Sequence, residues 1–211
     1  MAIELSKLKP HPHNSVELEQ YATEGDLAAF WILAIDQLDN LENKTVLDLG
    51  SGNGILGLGT AYLGANRVCL VEADEDAHLI SKQNSDKIVK KFETDISSIH
   101  AKIGSQEIKI PYRPDIVVMN PPWGFQTEKA DRPLLELAFS LDADAIYVLH
   151  SAKAKHIEAM AKDFGYDGEI VFETDFRLPA TYSHHSKNKS TTDARCWRFH
   201  KSGDAKLIEN E

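Results

Sequence analysis

Asn120-Pro121-Pro122-Trp123 follows the apolar run Ile116–Met119, and its residue types suit one kind of chemistry. Two consecutive prolines remove two backbone donors and stiffen the turn, which fixes the direction of the neighbouring carbonyl oxygens. The side-chain oxygen of Asn120 and the carbonyl of Pro121 can then both accept from a planar exocyclic NH₂ group, and Trp123 offers a stacking face. The lone pair of such an amine is delocalised into its ring or carbonyl, so the nitrogen is a poor nucleophile. Two fixed acceptors favour its pyramidalisation, aim the lone pair at an electrophile and stabilise the positive charge developing on nitrogen. Neither a cysteine nucleophile nor a metal is required.

A second constellation is Val46-Leu47-Asp48-Leu49-Gly50-Ser51-Gly52-Asn53-Gly54, an apolar strand running into alternating glycines and then a helix. Glycine lets backbone amides approach a ligand closely, and the helix that follows offers unpaired N–H groups at its start. Gly52, Gly54 and Gly57, with Glu72 twenty residues after Gly52, also fit the dinucleotide fingerprint, so a nicotinamide-dependent oxidoreductase is one reading. Asp48 counts against it. A carboxylate inside an aliphatic strand is costly unless paired, and it would repel a diphosphate while suiting an ammonium. In this respect the turn resembles class I S-adenosylmethionine-dependent methyltransferases, where the corresponding acid lies beneath the methionine moiety. Glu72 ends the run Arg67–Glu72, and its two oxygens match a ribose diol. Asp95 is expected to close a third strand and accept from the adenine amino group, while Ile96 donates its backbone N–H to the ring. Asp48, Glu72 and Asp95 would then form one row at successive strand ends.

Such a row needs strands side by side, and the pattern provides them. From Lys44 onward, short apolar runs (Thr45–Leu49, Arg67–Glu72, Asp115–Met119, Ala145–Leu149) alternate with helical stretches near Gly54–Leu63, Glu75–Asn84, Leu134–Leu141 and Ala152–Phe164. Ile88–Thr94 reads as a more polar strand. Glu169–Glu173 and Ala194–His200 close the chain as a strand pair with no clear helix between. The expected fold is α/β and Rossmann-like: a seven-stranded, mostly parallel sheet with helices on both faces and one antiparallel strand. A single domain is expected over residues 1–211, with an N-terminal helical segment to about 43, a core over 44–201 and a frayed tail from 202.

The 211 residues are 42% hydrophobic and 27% charged, the mixture of an ordinary globular domain rather than a disordered or membrane chain. With no signal peptide or long apolar run, and only the distant Cys69 and Cys196, a reducing cytoplasm is the expected compartment. A net charge of −10 argues against coating nucleic acid by charge alone. The end of the chain is locally basic, however: Arg177, Lys187, Lys189, Arg195, Arg198 and Lys201 stand against Asp193, with His184, His185 and His200 among them.

Together with the glycine and Asn-Pro-Pro-Trp turns, three further segments resemble the methyltransferase-like protein 5 family: Leu18-Glu19-Gln20-Tyr21-Ala22-Thr23, Tyr147-Val148-Leu149-His150 and Leu178-Pro179-Ala180-Thr181-Tyr182. The resemblance runs from about Leu18 to Phe199 and implies an enzyme that installs N6-methyladenosine in small-subunit ribosomal RNA. It implies that Gln20 and Thr23 reach over S-adenosyl-L-methionine and that Gly50, Asn53 and Ile55 line its methionine end. Glu72 would take the ribose, Asp95 with Ile96 the adenine, and Asn120 to Trp123 the target base. Members often carry Phe in place of Trp123 and Asp in place of Glu72. The basic end would guide RNA phosphates, and a flipped adenine would stack on Trp123. The family also implies a small zinc-binding activator subunit that adds a strand to an exposed edge, for which Ile88–Thr94 is the candidate. His150 is given no role. Release-factor glutamine methyltransferases share the Asn-Pro-Pro-aromatic turn, since a carboxamide presents the same planar NH₂. They usually carry a helical N-terminal domain, and roughly forty residues before Thr45 are too few for one. A non-catalytic RNA-binding module would keep the basic face without needing the cofactor row.

Overall fold

The computed structural model describes residues 1–12, 23–124, 127–177 and 191–207. Its strands are β1 (Thr45–Leu49), β2 (Arg67–Glu72), β3 (Asp95–His100), β4 (Ile116–Met119), β5 (Ala145–Ser151), β6 (Tyr166–Arg177) and β7 (Thr191–Lys201). They form one sheet in the order β3-β2-β1-β4-β5-β7-β6. The first five are parallel, and β7 runs antiparallel between β5 and β6. This is the Rossmann-like arrangement expected. Short apolar runs such as Val46-Leu47 and Val68-Cys69-Leu70-Val71 have no polar face because helices cover both sides of the sheet.

Strand alternation sorts the core into two layers. Val46, Val68, Leu70, Ile116, Val118, Tyr147 and Leu149 face one side and pack with α1 (Ala2–Leu5), α2 (Gly25–Asp39) and α3 (Ile55–Thr60). Leu47, Leu49, Cys69, Val71, Val117, Met119, Ile146 and Val148 face the other, with α5 (Arg132–Ser140) and α6 (His156–Asp163). Asp48 shares the parity of Val46 and therefore points toward α3. The chain leaves β1 toward β2 and β3, then crosses back to β4 on the opposite side of β1. The carboxyl ends of β1 and β4 thus flank the topological switch point, where open α/β sheets bind ligands.

The structure departs from expectation next to β3. Residues 88 and 89 end the helix α4 (Glu75–Val89), whose start is capped by the Asp74 carboxylate accepting from Ala77 N–H at 2.8 Å. Ala77, His78, Ser81, Asn84, Ser85 and Ile88 are buried at helical spacing, a signal weakened in the sequence because four of the six are polar. Ile88–Thr94 is therefore no strand. The outer strand is β3, and Asp95 opens it rather than closing it. The register pairs Arg67 with Asp95 and Glu72 with His100, which sets Asp95 about 16 Å along the sheet from Glu72. Asp95 and Ile96 thus lie at the opposite end from the expected row. The Asp95 side chain is 72% exposed, with Arg67 Nε at 3.8 Å.

The tail is also ordered further than expected. Arg198 on β7 is fully buried, and each of its five N–H donors meets an acceptor. Nε and Nη2 grip both oxygens of Asp39 at 2.7 Å, Nη1 reaches Glu169 Oε1 at 2.8 Å, and the carbonyl and carboxylate of Asp204 accept at 2.9 and 3.0 Å. Glu169 also accepts from the backbone of Lys206 and Leu207, so the chain is held through residue 207. Tyr147 Oη donates to Asp39 at 2.5 Å. Removing one partner of a buried ion pair leaves the other uncompensated. Asp39→Ala is therefore expected to cost about 3–5 kcal/mol of unfolding free energy, measured by urea denaturation; an unchanged midpoint would show that the cluster is not a staple.

Candidate active site

Asp48 is buried to 1% exposure, and its Oδ2 accepts from Gly57 N–H at 2.8 Å. This bond requires α3 to pass very close to β1. A Cβ on Gly57 would lie 2.9 Å from Asp48 Cβ and 2.6 Å from a Leu70 methyl, so only glycine fits. Burial pushes the Asp48 carboxyl up to about 7; the Gly57 bond works against that shift and the nearby Glu72 charge adds to it. A cation placed beside Asp48 would favour its ionised form.

Between β1 and α3 the turn passes through Gly50 and Gly52 at φ +70° and +55°, the left-handed region where a Cβ is disfavoured. Gly50 and Ser51 donate to the Val71 carbonyl at 2.9 and 3.0 Å, and Gly52 donates to Glu72 Oε2 at 2.7 Å. Glu72 Oε1 accepts from Ala73 and Asp74, both at 2.8 Å. Glu72 is thus the buried clasp of the turn, with three backbone donors already on its two oxygens, and a ribose diol would have to share them.

The N-terminal segment covers this turn, which nothing in the sequence signalled. The buried Asn84 side chain takes Lys9 N–H on its oxygen at 2.8 Å. Its nitrogen donates to the Lys9 and Asn53 carbonyls at 3.1 and 3.0 Å. Asn53 Nδ2 also donates to the Lys9 carbonyl, at 3.0 Å. His11 comes to rest over Gly52, 3.2 Å from where a Cβ would stand.

Asn120 lies just past β4. Its Nδ2 donates to Thr23 Oγ1 at 3.2 Å, and its Oδ1 accepts from Trp123 Nε1, also at 3.2 Å. An indole N–H can only donate, so it fixes which end of the amide is the oxygen. Trp123 does not present the open stacking face expected of it. It is 6% exposed and stacks on His150 with ring centroids 5.5 Å apart and planes 22° apart. Pro121 is buried as well.

A cavity of about 430 Å³ opens at the switch point and brings the two constellations together. Of the residues singled out in the sequence, Thr23, Asp48, Gly50, Gly52, Ile55, Glu72, Asn120 and Pro122 line it. Asn53 is turned toward Lys9, Asp95 and Ile96 are remote, and Gln20 lies outside the described residues. The wall beyond β3, where an adenine acid was expected, is made by Ala101, Lys102 and Ile103. His11 and Lys129 from loops and Leu134 from α5 add lining that no sequence motif marked.

The basic end of the chain changes character once folded. Arg198 is buried among carboxylates, Arg195 pairs with Glu173 at 2.6 Å, and Lys201 pairs with Asp142 at 2.6 Å. His200 is buried. Lys187, Lys189, His184 and His185 lie outside the described residues, as does Leu178–Tyr182. Among the described residues, no helix is long and apolar enough to cross a membrane.

Residues 27–166 match the family described as Conserved hypothetical protein 95. The chain is 34% identical to the rRNA N(6)-adenosine-methyltransferase METTL5 of Danio rerio, across 86% of this chain and 88% of that protein. It is also 34% identical to PH1948 of Pyrococcus horikoshii, described as a candidate RNA methyltransferase; that structure superposes with a TM-score of 0.79 over 95% of both chains. Magnesium protoporphyrin IX methyltransferase (ChlM) from Synechocystis, solved with S-adenosylmethionine bound, gives a TM-score of 0.59 over 84% of this chain and 77% of its own. At 19% identity it shares the fold alone. With 34% identity over 86% of this chain and 88% of the Danio rerio protein, and the family match over residues 27–166, this chain belongs to the Conserved hypothetical protein 95 family and to the METTL5 rRNA N(6)-adenosine-methyltransferases.

Proposed function

We propose that the protein methylates N6 of adenine in small-subunit ribosomal RNA, in the cytoplasm, using S-adenosyl-L-methionine. One observation carries the reading. A buried carboxylate suited to an ammonium (Asp48), a clasped glycine turn (Gly50 to Glu72) and an oriented amide (Asn120) all line one cavity at the β1/β4 switch point. When bound, the cofactor supplies an electrophilic methyl on its sulfonium. Asp48 would hold the ammonium, Glu72 the ribose hydroxyls, and Thr23, Gly50, Gly52 and Ile55 the space between, with His11 of the N-terminal segment above.

Asn120 Oδ1 and the Pro121 carbonyl accept from the adenine amino group. The nitrogen lone pair is thereby turned out of conjugation, and the charge it acquires is stabilised. In-line transfer from the bound cofactor would form the nitrogen–carbon bond as the carbon–sulfur bond breaks, with S-adenosylhomocysteine as the product and one amino proton passing to solvent. Trp123 holds the Asn120 oxygen in place from the side. Lys129 and Lys102 at the cavity rim are suited to the RNA backbone. A small zinc-binding activator subunit is assigned to β3, which forms the sheet edge with exposed ends and partly buried residues between them.

Radiolabel from S-adenosylmethionine should appear as N6-methyladenosine in small-subunit RNA, and label in release factor instead would move the assignment to glutamine. Asn120→Ala is expected to lower kcat about a hundredfold or more while leaving cofactor affinity within a few-fold; undiminished turnover would remove Asn120 from the chemistry. Glu72→Ala should weaken cofactor binding about tenfold or more in calorimetry, since a charge-assisted bond is lost and the turn is unclasped. Asp48 gives a pH signature. Its carboxyl is raised to about 7 without ligand, and the cofactor ammonium favours the ionised form, so binding releases a proton. Affinity should therefore rise about tenfold per unit from pH 5 toward 7 and then level off. Asp48→Asn should abolish the slope, and a slope that survives in that variant would point to another group.

A further inference from the structure

Three titratable side chains outside the cavity lining gather behind Trp123. Asp131 is buried at the start of α5, His150 is buried at the end of β5, and the half-exposed His156 begins α6. One ligand atom from each lies within 4.8 Å of the others, the spacing of a metal site. The tautomer of His150 argues against that use. Its Nδ1 accepts from the Ser151 N–H at 2.8 Å, so the proton of the neutral ring sits on Nε2. A metal on Nε2 would force a proton onto Nδ1, donor against donor, whereas a metal-bound histidine normally donates from its second nitrogen. Nε2 instead faces Asp131 Oδ2 at 3.3 Å, too poorly aligned for a full hydrogen bond, while His156 Nε2 meets the same oxygen at 2.5 Å. Burial raises the Asp131 carboxyl, but its contacts with His150 and His156 outweigh this and hold it below its ordinary value, so it stays an acceptor.

What the cluster touches is the reactive turn. The His150 ring lies flat against the Trp123 indole, and the indole N–H bonds Asn120 Oδ1. We propose that His150 is a positioning residue for methyl transfer: the Ser151 N–H fixes its ring, with Asp131 facing Nε2, the ring sets the plane of Trp123, and Trp123 sets the direction of the Asn120 oxygen. Asp131 acts one step further back. This rests on the assignment of Asn120 to the reacting amine.

The test compares His150→Ala, which removes the support, with His150→Phe, which restores a flat ring without nitrogens. Both are made in the full chain and assayed with radiolabelled S-adenosylmethionine and small-subunit ribosomal RNA. His150→Ala is expected to lower kcat about tenfold or more, because a small misplacement of a reacting contact is costly, with the cofactor Kd and the RNA KM within about twofold. His150→Phe should recover most of that loss. Near-UV circular dichroism, differenced against the same proteins carrying Trp123→Phe, isolates the Trp123 band. That band should weaken in His150→Ala and return in His150→Phe. The optical readout needs no turnover, so it judges the positioning role even where the wild type transfers no methyl, a result that would count against the proposed function instead. Four results would overturn the proposal: a His150→Ala enzyme with kcat within about twofold of wild type, an unchanged Trp123 band, cofactor affinity falling in parallel with kcat, or stoichiometric zinc whose chelation abolishes activity.

Discussion

A carboxylate sunk in an aliphatic strand is the constraint on which the site depends. Asp48 is 1% exposed, so α3 must come near enough to give it the Gly57 N–H. That closeness demands glycine at 57, and it draws the turn between β1 and α3 tight enough to need Gly50 and Gly52 at positive φ. The donors exposed by so tight a turn are then gathered by Val71 and Glu72 on the adjacent strand. One costly burial thereby dictates the glycine pattern, the strand pairing beside it and the shape of the cavity floor.

Across the switch point, the second half of the site follows a different logic. An amide has two chemically distinct ends, and only its neighbours decide which faces where. Trp123 can only donate and so takes the oxygen, while Thr23 accepts from the nitrogen. The tryptophan that looked like a surface for a base is instead part of the framework that orients one atom. A buried aromatic beside a reactive turn contributes precision of placement more than contact area.

Asp48, Gly50, Glu72 and Asn120 were legible because their meaning is local: each lies at or just beyond the end of a short apolar strand. Asp95 was misread for want of such a strand. Asp-Ile-Ser-Ser-Ile-His is an outer strand buried on neither face, so it lacks an apolar run and its phase could not be fixed, whereas Ile88 beneath α4 imitated one. Arg198 misled in the opposite sense. It reads as one more cation in a basic stretch, and only partners 159, 29 and 6 residues away reveal it as buried. The cover over Gly52 was equally hidden, because Lys9 is held through backbone atoms that carry no signature in the sequence.

The separation between Arg198 and Asp39 bears on how the protein is made. Asp39 leaves the ribosome 159 residues ahead of its guanidinium partner, and the strand carrying Arg198 is inserted between two others rather than added at an edge. During synthesis the early helix and the parallel strands therefore wait with an unpaired carboxylate and an open sheet flank. Non-local pairings of this kind are slow to form and expose strand edges meanwhile. The domain is closed by β7, so a chain released early would lack the ion cluster and the strand that joins β6 to the rest of the sheet.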